Sequence, residues 1–125
     1  MEKLREGLTG ETSLIVMHTN TAKAAGSGSL DVFATPCMIA LMEKAACMAI
    51  ASCLDATSTS VGIKMSTSHI AATKIGEEVV ARATVSEVDG RRVVFNVEAK
   101  DGSKLIGKGT HERFIVNVEK FMSKL

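Results

Sequence analysis

One stretch of this 125-residue chain constrains the fold more than any other. Pro36 to Leu54 reads as a single helix of about 19 residues, apolar on nearly every side and close to the length of a membrane span. Thr35 has the character of an N-cap. Pro36 suits the first helical position, where its missing N–H costs nothing. A helix without a polar face is normally enclosed by its domain rather than laid on its surface. The Glu43-Lys44 pair in its middle and the alternating segments after it favour a core helix over a bilayer span. Glu43 is the anomaly. Its neighbours three and four residues away, Ile39, Ala40, Ala46 and Cys47, are all apolar. A carboxylate buried among them is expensive unless it is paired or used. Two explanations stand: Glu43 and Lys44 mark a narrow solvent-facing strip, or the carboxylate has chemistry to perform.

The segments around the helix explain how it is covered. Leu14-Ile15-Val16-Met17 lies in a first strand, roughly Glu11 to Ala22, and a Gly/Ser-rich connector, Ala24 to Ser29, leads toward the helix. Its glycines lack the strand–GxxxxGK–helix setting of a phosphate loop, so they read as a flexible connector or lid. Beyond a polar turn at Asp55 to Ser60 the period becomes two. Val61, Ile63, Met65, Thr67, His69 and Ala71 share one face, and Gly62, Lys64, Ser66, Ser68 and Ala72 share the other. Glu78 to Val88 and Arg91 to Lys100 follow as strands joined by Asp89-Gly90. Asp101-Gly102 turns into a fifth strand, about Ser103 to Asn117, and Val118 to Leu125 reads as a short terminal helix. An antiparallel sheet of five strands curled around one long helix is the economical way to bury that helix, giving an α+β domain over residues 1–125. One small sheet leaves part of the helix uncovered and an edge strand open, which points to a homodimer or a larger assembly of such dimers.

Composition narrows the function. Fifteen Lys and Arg against fourteen Asp and Glu leave no basic stripe, and there is no Trp or Tyr, so a nucleic-acid surface is not expected. The charged N-terminal stretch has no apolar signal core. Cys37, Cys47 and Cys53 all fall on the one helical run, where disulfide geometry is not available, and read as buried thiols in a reducing cytoplasm. No metal-ligand spacing involves them or the three scattered histidines, so no metal and no resident cofactor is expected.

Three side chains carry the chemical interest. Thr35 stands at the electropositive start of the helix. Glu43 lies two turns further on, about 80° round from Thr35. His69 is on the strand face that points to the helix. A hydroxyl, a carboxylate and an imidazole then have one pocket available at the helix–sheet boundary, although each has an ordinary role too: a cap, a solvated charge, a core histidine. His111 and Arg113 share a strand face with Ile115, as a structural pair or as ligand contacts. Cys37 is a rival nucleophile two residues past Thr35.

A family resemblance bears on these alternatives. Val32-Phe33-Ala34-Thr35-Pro36-Cys37-Met38-Ile39-Ala40-Leu41-Met42-Glu43 resembles the helix-opening motif of hotdog-fold thioesterases of the fluoroacetyl-CoA thioesterase type. Ser60 to Thr73 is similar to their second strand, and Gly107-Lys108-Gly109-Thr110-His111-Glu112-Arg113-Phe114 to their last. The matching segments are spread over most of the chain in the family's order. The resemblance implies an acyl-CoA thioesterase that releases a free acid and coenzyme A, the latter being part of the substrate. It places the catalytic residues at Thr35, Glu43 and His69 and the strand glycine beside the substrate at Gly62. Phe33 is the single aromatic where the fluoroacetyl-specific enzyme has several lid aromatics. That departure weakens the expectation of fluoroacetyl specificity without touching thioester cleavage. Arg113, with Arg91, Arg92, Lys100, Lys104 and Lys108, supplies cations for an anionic substrate. Two other functions stand beside this one. A hotdog hydratase carries an Asp-x-x-x-x-His pattern on the central helix, and no Asp or His occurs between Pro36 and Leu54. A non-catalytic acyl-CoA binding protein would keep the pocket and release no thiol.

Overall fold

A computed structural model describes residues 1–125. The elements are β1 (Thr9–Ile15), α1 (Ala22–Ala25), α2 (Thr35–Ile50), β2 (Ser58–His69), β3 (Glu78–Asp89), β4 (Arg92–Asp101), β5 (Lys104–Asn117) and α3 (Val118–Ser123). The five strands form one antiparallel sheet in the order β1-β3-β4-β5-β2. Gly90 and Gly102 both take a φ of +61°, the left-handed conformation that the two Asp-Gly turns require.

The sheet curls over α2, which packs mainly on β1 and β3. Its inward side, Met38, Leu41, Met42, Ala45, Ala46, Ala49 and Ile50, is buried against Val79, Ala81, Ala83, Val93, Phe95 and Val97 of the strands. Small residues set the spacing. A Cβ on Gly10 would run into the backbone of Ala45 and Ala49, so β1 lies directly on the helix there.

One sheet covers only one side of the helix, as expected, and Pro36, Ala40, Lys44, Cys47 and Met48 are exposed. Several other expectations need correction. The cysteines are accordingly not all buried; Cys47 is exposed and Cys37 and Cys53 are half-buried. The helix stops at Ile50 and tightens into a 3-10 turn over Ala51–Cys53, ahead of a turn in which Asp55 accepts from the Thr57 N–H. β1 ends at Ile15 rather than Ala22. The Asn20 side chain accepts from the Met17 N–H, and Thr21 then caps α1 through the Ala24 N–H, so side-chain caps replace the ladder. Thr35 is not the cap of α2: Ala34 occupies that position, and Thr35 is the first helical residue.

The most consequential departure is in β2. Gly62 pairs with Arg113 and Lys64 with Glu112, so Ile63 is an extra residue without a partner, a β-bulge. The strict alternation expected across Val61 to Ala71 breaks there. Ile63 is 51% exposed instead of facing the helix, and Gly62 is brought against Glu43. Both β1 and β2 are sheet edges.

Candidate active site

α2 runs over the concave face of the sheet, and two groups of polar side chains meet there. The first lies at the helix start. Thr35 Oγ1 and His69 Nδ1, at the last residue of β2, are 2.7 Å apart. The His69 Nε2 atom is buried with no hydrogen-bond partner. Burial pushes the His69 pKa below that of a free imidazole, with the Ala71 backbone pulling weakly the other way, so the ring is neutral at pH 7. A cleft of about 320 Å³ opens beside this pair, lined by Phe33, Thr35, His69, Ile70 and Ala71 among others. Phe33 is only 1% exposed and belongs to the core, so it forms a wall of the cleft rather than a mobile lid. A larger groove of about 510 Å³ involves Ser66, Arg82, Asn96 and Lys108 but none of Thr35, Glu43 or His69; the chemistry favours the smaller cleft.

The second group lies two helical turns on. The Glu43 side chain is 41% exposed, and its Oε2 is 3.4 Å from Arg113 Nη1 and 4.0 Å from His111 Nε2. Both explanations offered for Glu43 therefore hold in part: it reaches solvent and it has a partner. Arg113 is heavily committed. Its Nε donates to Ser60 Oγ at 2.8 Å and its Nη2 to the Ser60 carbonyl at 3.0 Å, while Nη1 is also 3.1 Å from His111 Nε2. A Cβ on Gly62 would sit 2.8 Å from Glu43 Oε2, so glycine is needed for the carboxylate to lie flat on the strand.

Thr35 and His69 are thus in contact, and Glu43 touches neither. The separation is geometric. Eight helical residues put the Thr35 and Glu43 Cα atoms about 12 Å apart, and the seven residues from Gly62 to His69 span roughly 20 Å of strand. The expectation of three groups in one pocket is not met within the single chain. Arg113, expected at the substrate, spends most of its donors on protein atoms. Of the other cations expected at the pocket mouth, Arg92 is paired with Glu112 and Glu87, and Lys104 with Asp101. Arg91, Lys100 and Lys108 have no ion-pair partner. Sequence reasoning missed Ser60 and the bulge, since nothing in the alternation of β2 betrays an extra residue. The common strand face of His111 and Arg113 was the available signal for their contact.

Known proteins share this fold. A family model for fluoroacetyl-CoA-specific thioesterases matches residues 16–119. The fluoroacetyl-CoA thioesterase of Streptantibioticus cattleyicolor is 42% identical over 95 residues, which are 76% of this chain and 68% of that protein. The solved structure of the fluoroacetyl-CoA thioesterase FlK superposes with a TM-score of 0.91 at 34% identity, over 98% of this chain and 96% of its own. A mutant of that enzyme in complex with acetyl-CoA gives 0.91 at 35% identity, over 97% and 96%.

Proposed function

The chain belongs to the fluoroacetyl-CoA-specific thioesterase family, and on that premise we propose that it hydrolyses a small acyl-CoA through a site completed by a second copy of itself. The observation that carries the reading is the placement of two half-sites on one open edge strand. The Thr35–His69 pair lies at the end of β2, and Glu43 lies over Gly62 nearer its beginning. An antiparallel pairing of two β2 edges about a two-fold axis near Met65 and Ser66 sets Gly62 of one copy opposite His69 of the other. The partner subunit's Glu43 then has an approach to the unsatisfied His69 Nε2. The exposed apolar residues Met48, on the outer side of α2, and Ile63, on the edge itself, suit a homodimer in the same way.

In the completed site the Thr35 hydroxyl donates to His69 Nδ1, which leaves the proton of the neutral ring on Nε2, facing the partner's carboxylate. That is the hydroxyl–imidazole–carboxylate logic of an activated nucleophile. His69 takes the Thr35 proton as Oγ1 attacks the thioester carbonyl, and returns it to the departing CoA sulfur. Water, deprotonated by His69, then attacks the acyl ester, and His69 returns that proton to Thr35 Oγ1 as the acid departs. Backbone amides at the Gly62–Ile63 bulge of the second copy, which the pairing sets opposite His69, serve the oxyanion, a contribution of about 3 kcal/mol per donor. The modest cleft beside Phe33 suits a small acyl group.

Subunit mixing tests both parts of the reading. Glu43→Gln and His69→Ala are each inactive alone. When the two are unfolded and refolded together, half of the dimers are mixed and each carries one intact site, so thiol release from acyl-CoA returns to about a quarter of the wild-type rate. No recovery on mixing would place all the chemistry within one chain. Binding of acyl-CoA without thiol release by the wild-type chain would make it a binding protein instead of a hydrolase.

A further inference from the structure

Glu43 is aimed by a relay that begins at the edge of the sheet. We propose that His111 is a positioning residue: its Nε2 acceptor braces the Arg113 guanidinium on the flank opposite Ser60, so that Nη1 is presented to Glu43. The proposal rests on the reading of Glu43 as part of the catalytic site.

The atoms leave one consistent assignment. His111 Nδ1 is 2.7 Å from the Lys64 carbonyl, which can only accept, so Nδ1 carries the proton. The opposite nitrogen, Nε2, is then bare, and it lies 3.1 Å from Arg113 Nη1, which can only donate. A protonated ring would set an N–H against an N–H and a cation against a cation. The surroundings agree. His111 is 1% exposed and lies alongside the Phe95 ring of β4, with centroids 6.1 Å apart. The charges around it are Arg113 and Glu112 from β5 and Glu43 from α2. Burial and Arg113 hold its pKa below that of a free imidazole, against the opposing pull of the Lys64 carbonyl, Glu43 and Glu112.

The relay also ties the bulge to the carboxylate. The Lys64 carbonyl held by His111 follows the extra residue Ile63, and Arg113, cross-strand from Gly62, is gripped by Ser60 on its other side. The guanidinium therefore has anchors on both flanks, and Nη1 is left pointing past His111 at Glu43. Without the imidazole acceptor the planar guanidinium would be held on the Ser60 flank alone, and the plane that carries Nη1 toward Glu43 would tilt about those two contacts.

Two measurements test this. In wild-type protein, nitrogen-15 imidazole spectra should give His111 as the Nδ1–H tautomer, still neutral at a pH below the ~6.5 of a free imidazole. With only three histidines in the chain, single substitutions assign the signals. An Nε2–H tautomer, or a charged ring at neutral pH, overturns the proposal. In kinetics, His111→Phe keeps the stacking but supplies no acceptor, and kcat should fall about 100-fold with KM changed far less. His111→Gln offers a donor and an acceptor and should recover at least tenfold of that loss. Full kcat in His111→Phe, or a Gln variant no better than Phe, overturns the relay. The spectra do not depend on turnover. A chain that shows this tautomer but cleaves no acyl-CoA supports the relay and overturns the hydrolase reading alone.

Discussion

The two ends of the functional strand are built to opposite specifications. At the Gly62 end nearly every polar atom is engaged: Arg113 donates to Ser60 twice, to His111 and to Glu43, and His111 is satisfied at both ring nitrogens. At the His69 end the pair is spare, one contact to Thr35 and a buried Nε2 with none. An unsatisfied buried nitrogen costs about 1–3 kcal/mol in a structure that offers it nothing. The saturated end holds a carboxylate still and half open to solvent, and the unsaturated end lacks an acceptor. Each end supplies what the other lacks. The difference is the one expected if, as proposed, two copies pair so that each chain supplies half of two sites.

The comparison breaks most completely at the sparse end. Removing the imidazole takes away both proton steps, so His69→Ala should lower kcat by about 1,000-fold or more in a thiol-release assay. Thr35→Ala should approach the same loss, whereas Thr35→Ser keeps a hydroxyl on His69 and should retain measurable turnover. If Thr35→Ala turned over normally, water and not Thr35 would be the atom that His69 activates.

At the saturated end the sharpest probe adds one carbon. Gly62→Ala puts a methyl 2.8 Å from Glu43 Oε2 and 3.3 Å from Arg113 Nη1. The carboxylate is the softer neighbour and must move, and a displacement of this order typically costs about 100-fold in rate. The expected signature is a fall in kcat in a protein that stays folded, since the added methyl meets side-chain atoms and no backbone. Unaltered kcat would separate Glu43 from the reaction.

How much of this could be read from the residues follows the same divide. The Asp89-Gly90 and Asp101-Gly102 turns and the order of elements are consequences of local pattern and were legible, whereas the pattern left the meeting of Thr35 and His69 open and the family resemblance alone pointed to it. The partners of Glu43 were not legible. Its helical neighbours say only that it is surrounded by apolar residues. Its surroundings are decided by the Ile63 bulge, which turns Gly62 toward the helix, and a bulge leaves no mark on an alternation of small and polar residues. The helix was legible in part: an all-round apolar run under one small sheet must leave a side uncovered, and the sheet buries the Met38–Met42–Ala45–Ala49 side while Cys47 and Met48 stay exposed. Which of its residues fall on the uncovered side is what the pattern did not tell.

Acid should affect both ends, through the two depressed imidazoles, and here the effect is moderate. His69 and His111 each have a folded pKa below the free value because burial disfavours the charged ring. As pH falls through ~6.5 the unfolded chain takes up protons before the folded one does, so the stability held above that pH is progressively lost until the folded pKa values are passed. Thermal unfolding should therefore move to lower temperature between pH 7 and pH 5. The acid limb of kcat/KM, which reports His69 in the free enzyme, separates the two arrangements: burial in the single chain sets its midpoint below 6.5, and the partner's Glu43 seated on Nε2 in the proposed dimer raises it. A midpoint above 6.5 would mean that an acceptor on Nε2 outweighs the burial, the outcome expected if the partner's carboxylate is already seated there in the free dimer.

The smallest effect is expected at the rival nucleophile. Cys37 shares the first turn of α2 with Thr35, but two residues turn it about 200° round the helix axis. It is half-buried and packs against the core cluster, away from the side on which Thr35 meets His69. Cys37→Ala should then leave turnover within about twofold of wild type, the change being a small loss of packing rather than of chemistry. A large loss, with protection of the thiol by bound acyl-CoA, would move the nucleophile from oxygen to sulfur. His69 would remain the base, but the sparse end of the strand would no longer be defined by its contact with Thr35.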